Sequence, residues 1–462
     1  MSRDRARRSD PANDGTAVGL LSQEEGYWSL SAITRAVLRL SSVHLPGPRY
    51  HWDRRRPYSA ELASDVFRAS DVVVSVGSRA PREERRCDTP GVFLAHAWMD
   101  HAAGLNLSLS GRALRANDCL TFASTAARAK YLRAYPEGVR SAVLPYFVPG
   151  LRGGRPAPAT PDRTGLAAVY RLDPARKWVL YFGRFGPEKN TAALLSLWSR
   201  MARTDATLIL VGADSTSRTF GFDGLLETEE WEELVCARRQ QRHAGVRWLA
   251  PLTRRALAPL VAAADVVVNP TLCLEEDFGL SAAEALAAGT PVVCSDWGGL
   301  RDIVLHGGTG FRARTFLNGG RARLDEAEFS SYLERLLEDE SLRRELSENC
   351  RIRAISEYSE IVFVDRLRTL VASVADSDES LGSTTMTPAE WIRPAYERAL
   401  ANRSASRIYQ AEGLFNALYT DYATPVTSTD RQTAGASGGV SARMQEVRAC
   451  GDSQENCVPH RS

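Results

Sequence analysis

The stretch Pro270–Ile303, PTLCLEEDFGLSAAEALAAGTPVVCSDWGGLRDI, admits few folds. An apolar run from Asp265 to Asn269 ends at its proline. A loop with Glu275, Glu276 and Asp277 follows, then an Ala-rich segment from about Gly279 to Gly289 with helical character. A β-branched run, Pro291 to Cys294, and a Gly298-Gly299 turn close the unit. Strand, loop, helix and strand in this order form half of a doubly wound nucleotide-binding unit. The free N–H groups at the helix start suit a phosphate. An acceptor-only carboxylate suits sugar or ribose hydroxyls, which marks Glu276 and Glu284. Acids near a helix start also complement its dipole, which accounts for Glu275 to Asp277. It accounts poorly for Glu284, set in an apolar helix where a buried acid needs a partner.

The string from Glu276 through Asp277, Phe278, Gly279 and Leu280 to Glu284 resembles the E-x7-E signature of the retaining family 4 glycosyltransferases. Gly289 to Leu300 matches what that family carries next, and the resemblance is specific over about residues 177–375. It does not reach roughly the last ninety residues. It implies an α/β chain of the GT-B fold, two Rossmann-like doubly wound domains facing one another across a cleft. It also implies a nucleoside-diphosphate sugar as donor and no cofactor or metal.

Elsewhere Lys177 to Gly183 reads as a strand, followed by Arg184, Gly186, Pro187, Glu188 and Lys189. The segment resembles the family's G-R-x4-K element, in which both cations hold the donor diphosphate. Of 58 Lys and Arg residues only Lys130, Lys177 and Lys189 are lysines, so lysine at position 189 is not compositional drift. By resemblance Glu276 holds donor-sugar hydroxyls and Glu284 the ribose. Backbone amides of Phe278, Gly279 and Leu280 complete the donor grip. A Lys189→Ala variant is expected to lose turnover and keep its fold.

Toward the N-terminus, runs at residues 17–22, 71–77, 91–96, 118–124 and 141–147 read as buried parallel strands. The first leads into a loop with Gly26, where the family usually has two glycines near the donor diphosphate. His96 falls at a strand's carboxyl end, where the family often places a histidine against the donor sugar. A rim histidine and a plain connecting loop are the alternatives.

The expected organisation is a leader over 1–15, an acceptor-side domain over 16–150 and a Gly/Pro-rich linker over 151–163. A nucleotide-sugar domain over 164–375, a helical C-terminal appendage over 386–422 and a polar tail over 423–462 follow. Trp391, Tyr396, Ile408, Tyr409, Leu414 and Phe415 suggest that the appendage packs on the body.

A net charge of +2 gives no support to a nucleic-acid partner. Residues 1–150 carry 21 basic and 15 acidic residues, an excess of +6 that includes Arg54, Arg55 and Arg56. That patch suits membrane contact or a phosphorylated acceptor, although such an excess is more often a solvated surface. Scattered cysteines without zinc spacing, and the absence of a signal-like leader, lead us to expect a cytoplasmic protein. The expected reaction passes a sugar to a small soluble acceptor in bacterial biosynthesis. A sugar-nucleotide 2-epimerase and a silent nucleotide-sugar-binding module are the rival readings. The nucleotide, the sugar, the acceptor and the oligomeric state are not legible.

Overall fold

The computed structural model describes residues 17–23, parts of 35–52, 60–76, 89–94, 117–136, 140–152, 161–213, 245–318 without Glu275, and 321–376. It also describes parts of 389–394 and 412–425. In the first lobe β1 (Val18–Gln23), β2 (Arg49–Trp52), α1 (Ala60–Arg68), β3 (Val72–Val76) and β4 (Gly91–Leu94) come first. They are followed by β5 (Cys119–Phe122), α2 (Thr125–Ala134) and β6 (Arg140–Val143). All six strands are parallel, in the order β2-β1-β3-β4-β5-β6. Strands β3 to β5 are buried along their whole length, as expected for a parallel sheet covered on both faces. The edge strand β2, with sequence RYHW, has no apolar run to announce it.

The second lobe opens with α3 (Arg163–Tyr170), β7 (Lys177–Phe182), α4 (Thr191–Met201), β8 (Ala206–Val211) and β9 (Val246–Leu249). It continues through α5 (Arg254–Ala263), β10 (Val266–Asn269), α6 (Leu280–Ala288), β11 (Val292–Ser295), α7 (Leu300–Ile303) and β12 (Gly310–Ala313). Its sheet is also parallel, in the order β12-β11-β10-β7-β8-β9. A hairpin of β13 (Thr315–Asn318) and β14 (Arg321–Leu324) follows. Then come α8 (Glu326–Glu338), α9 (Glu340–Tyr358), α10 (Glu360–Ala375) and, past a gap in the described residues, α11 (Glu412–Tyr419). The chain therefore forms two Rossmann-like domains and a C-terminal helical region. The helices expected near Leu30–Leu40 and Leu225–Arg242 lie mostly or wholly outside the described residues, as do 1–15 and 426–462.

The topology selects one crevice in the second lobe. The chain moves from β7 outward through β8 and β9, then returns to the other side of β7 with β10 and continues through β11 to β12. Strand order thus reverses between β7 and β10. Ligands of open α/β sheets bind outside the carboxyl ends of the strands at such a switch point.

Several contacts join the lobes, two of them through C-terminal elements. Helix α10 leaves the second lobe and packs against β3 and β4 of the first. Phe363 on α10 is buried against Phe147, which follows β6, with ring centroids 4.8 Å apart. Nearby, the Glu360 carboxylate accepts from the Gly150 N–H at 2.8 Å and from Arg39 at 2.5 Å. The second element is α11 with the residues just after it; α11 lies against α2 and the hairpin. Leu418, Tyr419 and Tyr422 bury its apolar face, whereas Trp391 is 45% exposed. The side chains of Tyr396, Ile408, Tyr409, Leu414 and Phe415 lie outside the described residues.

Phe363→Ala removes a buried ring at the junction and should cost about 3–5 kcal/mol in urea unfolding. A loss under about 1 kcal/mol would show that the crossing helix contributes little to the fold.

Candidate functional site

The loops after β7 and β10 meet at the switch point, and backbone bonds hold them together. The Tyr181 hydroxyl donates to the Arg184 carbonyl at 2.6 Å, fixing the start of the first loop. A 3-10 turn at Pro187–Lys189 presents the Glu188 carbonyl to the second loop. That carbonyl accepts from the Leu272 N–H at 3.1 Å and the Thr271 hydroxyl at 3.4 Å.

The second loop is held by side-chain and main-chain bonds. Asn269 Nδ2 donates to Ser281 Oγ at 3.1 Å, and Asn269 Oδ1 accepts from the Thr271 N–H at 3.2 Å. The Ser295 hydroxyl donates to the Thr271 carbonyl at 2.5 Å, and Trp297 Nε1 to the Cys273 carbonyl at 2.8 Å. The Glu276 N–H donates to the same Cys273 carbonyl at 3.1 Å. On the far side, the Gly299 N–H donates to the Glu276 carbonyl at 2.6 Å. A Cβ on Gly299 would come within 2.5 Å of the Asp277 main chain, so this approach requires glycine.

This framework brings Lys189 Nζ to 2.5 Å from Glu276 Oε2, with the side chains 17% and 11% exposed. Burial, the largest single influence, pulls the lysine pKa down, but the Glu276 carboxylate and Cys273 together outweigh it and the net shift is upward. Lys189 therefore stays charged across the neutral range. Arg184 is more open, and its Nη1 lies 4.0 Å from Glu188 Oε1.

Gly279 takes a left-handed conformation, φ 91°, and starts α6 without a side-chain cap. The first α-helical bond of α6 runs from the Ala283 N–H to the Gly279 carbonyl, so the amides of Leu280, Ser281 and Ala282 precede it. Phe278 is buried edge-on between Tyr146 of the first lobe and Tyr358.

Glu284, one turn into α6, pairs with Arg254 at the start of α5, 2.5 Å away. This is the partner that an acid in an apolar helix requires. Burial nevertheless raises the Glu284 pKa, and Arg254 only partly reverses that shift. No pattern in the sequence singles out Arg254, thirty residues away and one of many arginines. The structure thus assembles Lys189, Glu276, Phe278, Gly279 and Leu280, with Arg184 and Glu284 on the same two loops and helix. Gly26 and His96 lie outside the described residues. Among the described residues no group of three or more His, Cys, Asp or Glu side chains could hold a metal ion. No described helix is long and apolar enough to cross a membrane.

Residues 162–353 match the profile of the family described as glycosyl transferases group 1. A D-inositol 3-phosphate glycosyltransferase of Pseudarthrobacter chlorophenolicus is 32% identical over 196 residues, 42% of each chain. This chain therefore spans less than half the length of that relative. An α-maltose-1-phosphate synthase of Mycolicibacterium smegmatis is 30% identical over 310 residues, 65% of this chain and 72% of the relative. Among solved structures, HepE from Anabaena in complex with UDP superposes with a TM-score of 0.56 at 18% identity. That match covers 77% of this chain and all of HepE, and at this identity it speaks for the GT-B fold alone.

The Lys189–Glu276 pair changes one expectation, that alanine at 189 would leave the fold untouched. Lys189→Met strands a buried carboxylate and should lower stability by about 3–5 kcal/mol. Lys189→Met combined with Glu276→Gln removes both charges and should recover most of that loss in urea unfolding. Equal stability of wild type and the single variant would show that the pair does not form.

Proposed function

The chain belongs to the glycosyl transferases group 1 family, and from that premise we propose that it transfers a sugar from a nucleoside-diphosphate donor with retention of anomeric configuration. The observation that carries this reading is the buried Lys189–Glu276 pair beside the uncapped start of α6, at the topological switch point. A positive ammonium and free helix N–H groups in one crevice suit a diphosphate, and the adjacent carboxylate suits sugar hydroxyls.

In this mechanism the breaking glycosidic bond builds positive charge on the sugar and negative charge on the leaving diphosphate. Lys189, with three donors, shares its ammonium between Glu276 and a phosphate oxygen. Arg184 and the amides of Phe278, Gly279 and Leu280 take the remaining charge. Glu276, oriented by Lys189, accepts from donor-sugar hydroxyls, and Glu284 accepts from the ribose. The acceptor attacks from the face the diphosphate leaves. Its proton passes to the departing phosphate oxygen, so no protein nucleophile is needed. Gly26 and His96 are proposed as donor contacts from the first lobe on resemblance alone.

We take the acceptor to be small and polar. The names of both curated relatives contain a phosphorylated sugar or inositol, which puts such compounds first in a screen. Cys119, Cys273, Cys294 and Cys350 are buried free thiols, in keeping with a reducing compartment such as the cytoplasm. The domain limits read from the sequence are part of this proposal, with 164–375 as the donor side.

A panel of UDP, ADP and GDP and their sugars tests the assignment. A ligand at about 100 times its Kd adds roughly 2.7 kcal/mol of stability, a shift of a few degrees in Tm. One responding base, with NMR of the product showing the donor's anomeric configuration kept, is the expected result. Inverted product would remove the retaining mechanism. A sugar nucleotide epimerised without acceptor would replace transfer altogether.

Glu284→Gln separates binding from folding. A carboxyl whose folded pKa is raised binds more protons folded than unfolded. Its contribution to stability is greatest below the unfolded pKa and declines as pH rises through the folded one. At neutral pH the charge is therefore carried at a cost. Glu284→Gln should leave Tm unchanged or higher while weakening donor binding about tenfold in calorimetric titration. A lower Tm with unchanged donor affinity would make Glu284 a structural residue.

A further inference from the structure

The segment after α11 reaches the donor loop from outside. Tyr422 is fully buried, and its hydroxyl donates to Asp277 Oδ1 at 2.5 Å, one residue from Glu276. Its carbonyl accepts from the Gly298 N–H at 3.0 Å. Its ring lies so close to Gly298 that a Cβ there would come within 3.0 Å of it. Tyr422 therefore grips both ends of the corner at which the Gly299 N–H holds the Glu276 carbonyl.

The grip is anchored on three sides. Trp297 stacks on Tyr419 at 6.1 Å and meets Tyr422 edge-on at 5.5 Å. Arg301 Nη1 donates to the carbonyls of Asp421 and Ala423, at 2.6 and 3.0 Å. The third anchor comes from the first lobe. Lys130 on α2 places its ammonium 4.9 Å from the Tyr419 ring centroid and 4.5 Å from that of Tyr422. The same ammonium donates to the Leu274 carbonyl of the donor loop at 3.4 Å. At the start of α2, the Asp302 carboxylate accepts from the Thr125 N–H at 2.6 Å and the Thr125 hydroxyl at 2.7 Å. Arg133, also on α2, pairs with Asp421.

We propose that Tyr422 is a positioning residue for sugar transfer. It holds Asp277 and Gly298 so that the Glu276 carboxylate stays within reach of Lys189, and Lys130 ties that grip to the first lobe. The proposal rests on reading Lys189 and Glu276 as the donor site. Hydrophobic packing of a C-terminal segment explains the tyrosine rings. It does not explain a buried hydroxyl aimed at an acid in the donor loop.

Tyr422→Phe in the full-length chain removes one oxygen and leaves the ring, its aromatic contacts and the Lys130 contact in place. In hydrogen–deuterium exchange, peptides over 272–280 should exchange roughly tenfold faster, with those over 177–182 unchanged. Donor Kd in calorimetric titration, and donor KM more than kcat, should rise by a similar factor while Tm barely moves. Asp277→Ala should reproduce these effects. Asp277→Asn keeps an acceptor for the hydroxyl and should preserve most of the wild-type behaviour. The double variant Tyr422→Phe, Asp277→Ala should be no worse than either single one. Unchanged exchange over 272–280 in Tyr422→Phe would overturn the proposal, as would additive effects in the double variant. If wild type binds no nucleoside diphosphate, the donor-site reading falls, and the exchange measurement still decides whether Tyr422 holds the loop.

Discussion

The ion pair between Lys189 and Glu276 sets the terms for everything around it. Two opposite charges withdrawn from water are favourable only when their geometry is good and their surroundings are polar where needed. The two loops supply that geometry through main-chain bonds. The Glu188 carbonyl ties the first loop to the second, and Cys273 and Gly299 hold Glu276 from either side. The pair's cost and its use share one origin. An ammonium kept in a shielded crevice acts on an incoming phosphate with less screening than one at the surface. Side-chain motion would waste that advantage, and the bonding of residues 269–299 leaves little room for it.

A rigid donor loop has to be held by something outside itself, and the chain provides two unequal supports. Helix α10 crosses to the first lobe and buries Phe363 against Phe147, a contact made mainly of carbon. The segment at and after α11 adds directional bonds to its apolar packing. Its contacts with Asp277, Gly298, Arg301 and Arg133 are polar, and its rings cover a lysine. Apolar contact sets how firmly the lobes associate, whereas directional bonds set the register in which they do so. The donor loop is touched by both kinds, through Phe278 and through Asp277.

Much of this architecture was legible in the sequence, and the losses have physical causes. Strands β3, β4, β5, β7, β8 and β10 are continuous apolar runs because both faces of their sheets are covered, and such runs stand out. Strand β2 escaped because RYHW is a short edge strand of mixed polarity. The hairpin β13–β14 escaped for the same reason, its eight residues including Asn318, Arg321 and Arg323. The candidate site was legible where one loop carries its own pattern, as with Glu276, Gly279 and Glu284. It was not legible where two distant segments meet. Arg254 pairs with Glu284 across thirty residues, and Tyr422 with Asp277 across 145. An isolated acid in an apolar helix tells the reader that a partner exists and not which residue it is.

The three lysines offer a sharper lesson about composition. In a chain with 58 basic residues, arginine is the default cation. Each lysine in the structure makes a contact through its ammonium. Lys189 ends at one carboxylate oxygen in a narrow crevice. Lys130 ends against two tyrosine rings and the Leu274 carbonyl, contacts that suit a compact ammonium. Lys177 is the mildest case, half-buried and 3.8 Å from Asp265, a carboxylate already contacted by Arg163. Rarity marked position 189 as a contact site before any geometry was known. The same reasoning applied to position 130 leads to α11 and the segment after it, whose tyrosine rings receive the cation buried on α2. A residue type used sparingly is thus a guide to close contacts even where no motif surrounds it.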